Sequence, residues 1–308
     1  MIAILPLFAL LQIGPSPHNF DPSPLPIPGH EHHEAQLAEK PQKTPPVVDP
    51  LAECLGKARM DSASGLAYAR KWLSEARVPS ARVRPDQCLG MVLSDQGDFN
   101  AAEGAFADGV SAIPVMQEAS AVPLMAMAGN AALAAGGSAR ALAWFDRALA
   151  VKAYDDYAQR GAIYADRARA LVALGRLDEA GASLTQARRL APEYAGAFLL
   201  SATLARRQKD LVSAQEFIES ASRINPHDPA IGLEAGVIAV LAGHDEAARK
   251  SWSSVVSTSP DSPEAETARG YLSQLGPVPG GSGPGGGGQP LDRTATSPTS
   301  GAVSPPEH

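Results

Sequence analysis

Two kinds of short run hold residue types that could do chemistry. His30, Glu31, His32, His33 and Glu34 are contiguous, and imidazoles and carboxylates this close form a donor set for a divalent transition-metal ion. The run lies in a segment with ten prolines between residues 1 and 48, where nothing fixes ligand geometry or orients the rings from behind. A solvated linker is the expected role, and no metal site is assigned. His227-Asp228 and His244-Asp245 could each pair a base with its orienting carboxylate. Both stand where turn formers are expected, and neither has a nucleophile at a readable spacing. No P-loop and no HExxH occurs, and G-x-G-x-x-G is matched only inside the glycine run of the tail. GGSGPGGGG in the tail follows no strand and precedes no helix, so it reads as linker. The expectation is a non-enzyme without a cofactor.

Cys54 and Cys88 recur in matching Cys-Leu-Gly strings, 34 residues apart. They could form a redox pair. Equivalent positions on packed helices are set by axes about 8–10 Å apart, whereas a disulfide needs Cα atoms nearer than about 7 Å. No intramolecular bond is expected unless solenoid twist shortens the distance. The expected role is two small, semi-buried apolar residues.

The elements that position these residues follow from one period. From Asp49 to Gly276 the chain divides into units of 34 residues starting at Asp49, Val83, Val122, Gly161, Ala195 and Pro229. Two five-residue insertions, 117–121 and 156–160, are left over, and Pro263–Gly276 forms one further helix. The eighth residue of each unit is small: Gly56, Gly90, Gly129, Ala168, Ala202 and Gly236. The twentieth is alanine in all units but the first, which has Tyr68. The twenty-fourth is large: Trp72, Phe106, Phe145, Leu184, Ile218 and Trp252. Turn glycines stand at 97, 136, 175 and 243, and stop prolines at 114, 192, 226 and 260. Small residues on the first helix facing alanine on the second let two antiparallel helices approach closely. The bulky residue one turn on is expected to fill the space between neighbouring units. Glycine ends the first helix in a left-handed conformation, and proline stops the second. One such unit cannot cover its own apolar face, so the units must stack. The insertions, rich in helix formers, are expected to lengthen two first helices by more than a turn. Otherwise they would loosen the stacking and split the array.

The pattern resembles the tetratricopeptide repeat, a 34-residue helix–turn–helix with W-x2-L-G-x2-Y, then A-x3-F, then P. Ala102 with Phe106, Ala141 with Phe145 and Ala180 with Leu184 keep the second part, and Leu55-Gly56 and Leu89-Gly90 keep the L-G pair. The W and Y positions are mostly replaced, for example by Phe198 and Leu171, and the first unit departs most. The resemblance implies an all-α, right-handed α-solenoid of about six repeats plus a C-terminal cap helix, whose first helices line a concave, partner-binding face. The family's lining positions fall here on Met60, Met91, Met127, Leu133, Val172, Leu199, Leu200, Val237, Val240 and Leu241. They also fall on Cys54, Cys88, Asp166, Arg169, Arg206 and Arg207. An apolar lane with a basic patch in the fourth and fifth units is the expected site for an extended or helical segment with apolar anchors and an acid near Arg169 or Arg206. Buried core is the competing role for each Met and Leu. A clamp for a chaperone's terminal carboxylate is argued against, because Glu53, Lys57 and Cys88 stand where the family's Lys and Asn would.

The formal charge of the whole chain, −7, argues against a nucleic-acid partner. Ile2 to Ile13, IAILPLFALLQI, is apolar but too short to span a bilayer and fits a signal core. No Lys or Arg precedes Lys40, and Gly14-Pro15-Ser16 is the nearest small-x-small site. The expected organisation is a signal-like segment over 1–16, a Pro-rich disordered linker over 17–48, the repeat domain over 49–276 and a Gly/Pro/Ser-rich disordered tail over 277–308. The expected location is the cell envelope or periplasm, with membrane proximity through the apolar segment; the alternative is an uncleaved apolar terminus on a cytoplasmic protein. The expected function is a non-catalytic scaffold for a protein or peptide. The alternative is a structural component of an envelope assembly that uses its lateral surfaces.

Overall fold

A computed structural model describes residues 49–275. The expectations for the signal-like segment, the Pro-rich linker with its histidine run and the Gly-rich tail lie outside those residues. Thirteen α-helices and no strand occur among the described residues. The helices are α1 (Pro50–Met60), α2 (Ser62–Glu75), α3 (Val83–Asp95), α4 (Phe99–Ser111), α5 (Glu118–Ala134), α6 (Ser138–Ala150) and α7 (Tyr157–Ala173). They continue as α8 (Leu177–Leu190), α9 (Ala195–Arg207), α10 (Leu211–Ile224), α11 (Pro229–Leu241), α12 (Asp245–Thr258) and α13 (Pro263–Gln274). Consecutive helices pair into six hairpins, and each hairpin packs on the next. First helices also touch their counterparts in the neighbouring unit, as α7 touches α9 and α9 touches α11. They therefore form the inner layer of a solenoid.

Local chemistry explains each reversal. Gly97, Gly136, Gly175 and Gly243 take φ between 75° and 80°. In each case the glycine N–H and the next N–H close back on the first helix, as Gly97 N bonds Ser94 O at 3.0 Å and Asp98 N bonds Leu93 O at 3.0 Å. That is the Schellman ending that glycine permits. The fifth unit makes the same turn with Lys209 at φ 65°, a left-handed conformation that opposes an L side chain. The second helices start on caps where an aspartate follows: Asp98 Oδ1 accepts from Ala101 N, and Asp210 Oδ1 from Ser213 N. They stop before the prolines. Ala191, Asn225 and Ser259, each preceding one, have left the helical region.

The insertions lengthen first helices as expected. α5 and α7 have 17 residues each, against 13 for α3, α9 and α11. The apolar core runs without a break from Leu93 to Leu204 past both of them, so the array does not split there.

The close-contact rule is different from the expected one. The bulky twenty-fourth residue does not merely fill space between units; it lies on the small eighth residue of its own unit. A Cβ added at Gly90 would stand 2.5 Å from Phe106 Cε1, and one at Gly129 would stand 2.5 Å from Phe145 Cε1. Gly236 would collide with the Trp252 indole. Where the eighth residue is Ala168 or Ala202, the twenty-fourth is the slimmer Leu184 or Ile218. Gly56, by contrast, has nothing within 4 Å, so the first unit lacks this lock. Gly129→Ala should raise helix propensity by about 1 kcal/mol but overpack Phe145 by about 1–3 kcal/mol. The expected result in denaturant unfolding is net destabilisation, relieved when Phe145→Leu is added to copy the Ala168–Leu184 pair. Stabilisation by Gly129→Ala alone would refute the lock.

At the C-terminal end α13 covers the last unit. Ala265 and Ala268 are buried, Tyr271 lies against Trp252 with ring centroids 5.0 Å apart, and Glu266 and Arg269 face solvent.

Candidate functional site: the first-helix groove

The inner layer brings the sixth, ninth and twelfth residues of adjacent units together, and three pairs meet there. Between units one and two, Cys54 and Cys88 form a disulfide, with Cα atoms 6.5 Å apart and both side chains fully buried. This corrects the expectation of two unbonded cysteines. Helix axes are separated by about 8–10 Å, but facing Cα atoms stand inward of the axes by the helix radius, about 2.3 Å. On the inner side of a curved layer they come within bonding range.

Between units three and four, Asn130 Nδ2 donates to Asp166 Oδ2 at 3.0 Å, and Arg169 pairs with Asp166 at 3.4 Å. Tyr194 lies in the same cluster; burial first, and then the Asp166 charge, push its phenol up to about 12. Between units five and six, Arg206 grips Glu234 with two bonds, Nε to Oε1 at 2.7 Å and Nη2 to Oε2 at 3.2 Å. The two side chains are 13% and 9% exposed. Burial raises the Tyr271 phenol pKa, and the charges of Arg206 and Glu234 both act on it.

The candidate residues therefore divide. Asp166 and Arg206 are engaged across unit boundaries, Arg169 pairs with Asp166 on its own helix, and Arg207, at the end of α9, is exposed. Met91, Met127, Val172, Leu199, Leu200, Val237 and Val240 are partly exposed along the inner layer, and Leu241 is 40% exposed. Met60, at the end of α1, is 89% exposed. Asn130, Tyr194 and Glu234 were not singled out from the sequence. Asn130 and Glu234 occupy the ninth and sixth positions of their units, and pairing lining positions across successive units would have found both.

The histidine–aspartate pairs are turn and cap residues. Asp228 Oδ1 accepts from Ala230 N at 2.9 Å and from Ile231 N at 3.3 Å, capping α11. His244 precedes α12, whose first residue is Asp245. Among the described residues no group of three or more His, Cys, Asp or Glu is placed to hold a metal ion.

A separate polar group lies behind the groove. Asp86, on α3, is 1% exposed, and neither carboxylate oxygen has a hydrogen-bond partner. Arg82 Nε stands 3.6 Å from Oδ2. Burial pushes the carboxyl up to about 6; Arg82 opposes this, and Asp108 adds to it. An acid whose pKa is raised by folding takes up a proton as the chain folds. Its charge is thus harmless below the unfolded value near 4, and stability falls as pH rises through 6. Above that, the buried charge costs on the order of 2–3 kcal/mol. Asp86→Asn should stabilise the protein at pH 7–8 and leave it nearly unchanged at pH 4. A variant-minus-parent difference that is flat between pH 4 and 8 in denaturant unfolding would contradict this.

Solved structures agree with this architecture. TTC0263, a thermophilic tetratricopeptide repeat protein of Thermus thermophilus, superposes with a TM-score of 0.51 at 18% identity, covering 63% of this chain and 98% of that one. The fold is that of a tetratricopeptide solenoid. PilW, a widely conserved type IV pilus biogenesis factor, shares this tetratricopeptide-type fold with a TM-score of 0.59 at 17% identity, over 71% of this chain and 96% of its own. PilF of Pseudomonas aeruginosa gives 0.56 at 14% identity, over 72% and 96%. No protein-family model matches the sequence, and no curated protein matches it.

Proposed function

We propose that the chain is a non-catalytic scaffold of the cell envelope that holds a protein or peptide segment in its first-helix groove. The observation that carries this is the division within the groove. Its partly buried charges are paired, Arg169 with Asp166 within α7 and Arg206 with Glu234 between units, while Met127, Val172, Leu199 and Val240 leave apolar surface partly exposed. Methionine adapts to varied apolar shapes, and a lane of such side chains bounded by polar ones suits apolar anchors. An acidic group on the partner would meet Arg207 first, because reaching Arg206 means displacing Glu234. The buried disulfide supports an oxidising compartment, as does the apolar sequence of Ile2 to Ile13.

The test is capture from an envelope extract of the source organism. A protein retained by the parent chain should be lost with Met127→Gln plus Val172→Asn, near-isosteric changes that keep the fold by circular dichroism. Arg207→Ala should weaken retention less. Equal retention by the parent and the groove variant would reject the groove as the site.

A further inference from the structure

The fourth residue is uncharged in five of the six units: Ala52, Met125, Tyr164, Phe198 and Gly232. The second unit alone places a carboxyl there, Asp86. Stacking does not need one, since Met125 fills the same place in the next unit with its side chain fully buried. Nor does Asp86 cap α3, because neither oxygen accepts a hydrogen bond. It sits where three helices meet. A Cβ placed on Gly109 of α4 would stand 3.3 Å from Asp86 Cβ and 2.9 Å from Leu124 Cδ2 of α5. Among the described residues, the charged groups that act on it are Arg82, on the turn before α3, and Asp108 of α4, both exposed. From α5 the neighbour is Leu124. The α5 side of this joint is the weaker one. Pro123, next to Leu124, lies inside the helix and has no N–H for the backbone ladder, and α5 starts without a side-chain cap. The α3–α4 side is held by Phe106 on Gly90.

We propose that Asp86 is a pH-responsive release at the joint between the second and third units. Ionised, it loosens α5 from the α3–α4 hairpin around Leu124 and Pro123; protonated, it lets the joint close. A neutral carboxyl can stay in this dry site, whereas a carboxylate without a hydrogen bond is strongly disfavoured there. Water reaches it most readily where the helix ladder is already broken. Each unit of a solenoid contacts only its neighbours, so the effect stays at this joint. The joint also sets the groove. Met91 follows Asp86 on α3, and Met127 follows Leu124 on α5, so loosening slackens the lane between them. That a partner is released at higher pH rests on its being held in the groove; the joint itself does not. The closed joint keeps its proton up to pH about 6, and a solvated carboxyl keeps it only to about 4. Opening therefore rises about tenfold per pH unit between those values and levels off about a hundredfold higher.

The experiment is hydrogen exchange of the full chain between about pH 4 and 8, read on peptic fragments and divided by the intrinsic rate at each pH. Opening of residues 83–90 and 118–127 should rise about a hundredfold, while α8 to α12 stay protected as before. Asp86→Asn, which cannot ionise, should be flat. Arg82 opposes the effect of burial and Asp108 adds to it, so Arg82→Ala should carry the rise to higher pH and Asp108→Asn should end it lower. Both replace exposed side chains and decide the matter even if Asp86→Asn does not fold. A peptide selected on the chain in mild acid from a random displayed library, and lost with Met127→Gln plus Val172→Asn, should bind more weakly in mild base. In Asp86→Asn it should bind equally in both. Opening that is flat with pH in the parent, a rise spread evenly over the array, or a rise that neither surface variant moves would overturn the proposal. Peptide affinity that stays level while the joint opens would overturn its control of the groove. Failure to select any peptide that the groove variant loses would instead count against the groove alone.

Discussion

Arg206→Ala is expected to destabilise the array by about 3–5 kcal/mol, because it strands a buried carboxylate. Glu234 is 9% exposed and takes both of its bonds from this one guanidinium. Replacing both partners by apolar residues of similar size, Arg206→Met with Glu234→Leu, should cost little, since a buried ion pair contributes small net stability once desolvation is counted. The asymmetry separates a staple from a ligand-binding cation. A surface arginine kept for a partner would lose binding on truncation with stability unchanged, within about 0.5 kcal/mol. Chemical denaturation of both variants decides between them. The same reasoning makes a triple Arg169, Arg206 and Arg207 truncation a poor probe of recognition, and Arg207→Ala the better one.

Breaking the Cys54–Cys88 bond should loosen the first unit selectively. Closing a 34-residue loop stabilises by about 4 kcal/mol in the chain-entropy estimate. In a solenoid that free energy acts on the nearest interface and not on the whole chain. The first unit is also the one with least else to hold it. Gly56 contacts no ring, Trp72 is only half-buried, and the α1–α2 connection runs through the Asp61 cap without a turn glycine. Cys88→Ser, or a reductant, should therefore speed amide hydrogen exchange over residues 50–75 by a hundredfold or more, given about 1.4 kcal/mol per tenfold. Protection in α5 to α12 should stay as it was. Uniform loss across the array would show a globally cooperative unit, and no change would show that the bond stabilises nothing.

How far the sequence could be read depended on the range of the interaction. The helix pairs, their ends and the lengthened α5 and α7 follow from signals within one unit, such as Gly175, Pro192 and the inserted helix formers, and all of these stand as read. The lock between Gly129 and Phe145 was half legible. Both positions were conspicuous, but their partnership depends on which way the ring turns, and that is set by the packed backbone. The pairs between units were not legible. Whether Cys54 reaches Cys88, Asn130 reaches Asp166 or Arg206 reaches Glu234 depends on the curvature of the inner layer and on the offset between units. The 34-residue period carries neither quantity. The basic patch read from Arg169 and Arg206 proves to be engaged, and the exposed remainder of the lane is chiefly apolar.

The most direct measurement is the salt dependence of peptide binding. Peptides selected from a random displayed library on the full chain, and displaced by Met127→Gln plus Val172→Asn, would report on the groove itself. If its charges are used between units, those peptides should carry apolar anchors, and their affinity should change less than about threefold between low and high salt, exposed charge pairs being the interactions that salt screens. Selected peptides rich in Asp and Glu, whose binding collapses with salt and with Arg206→Ala at unchanged stability, would contradict it.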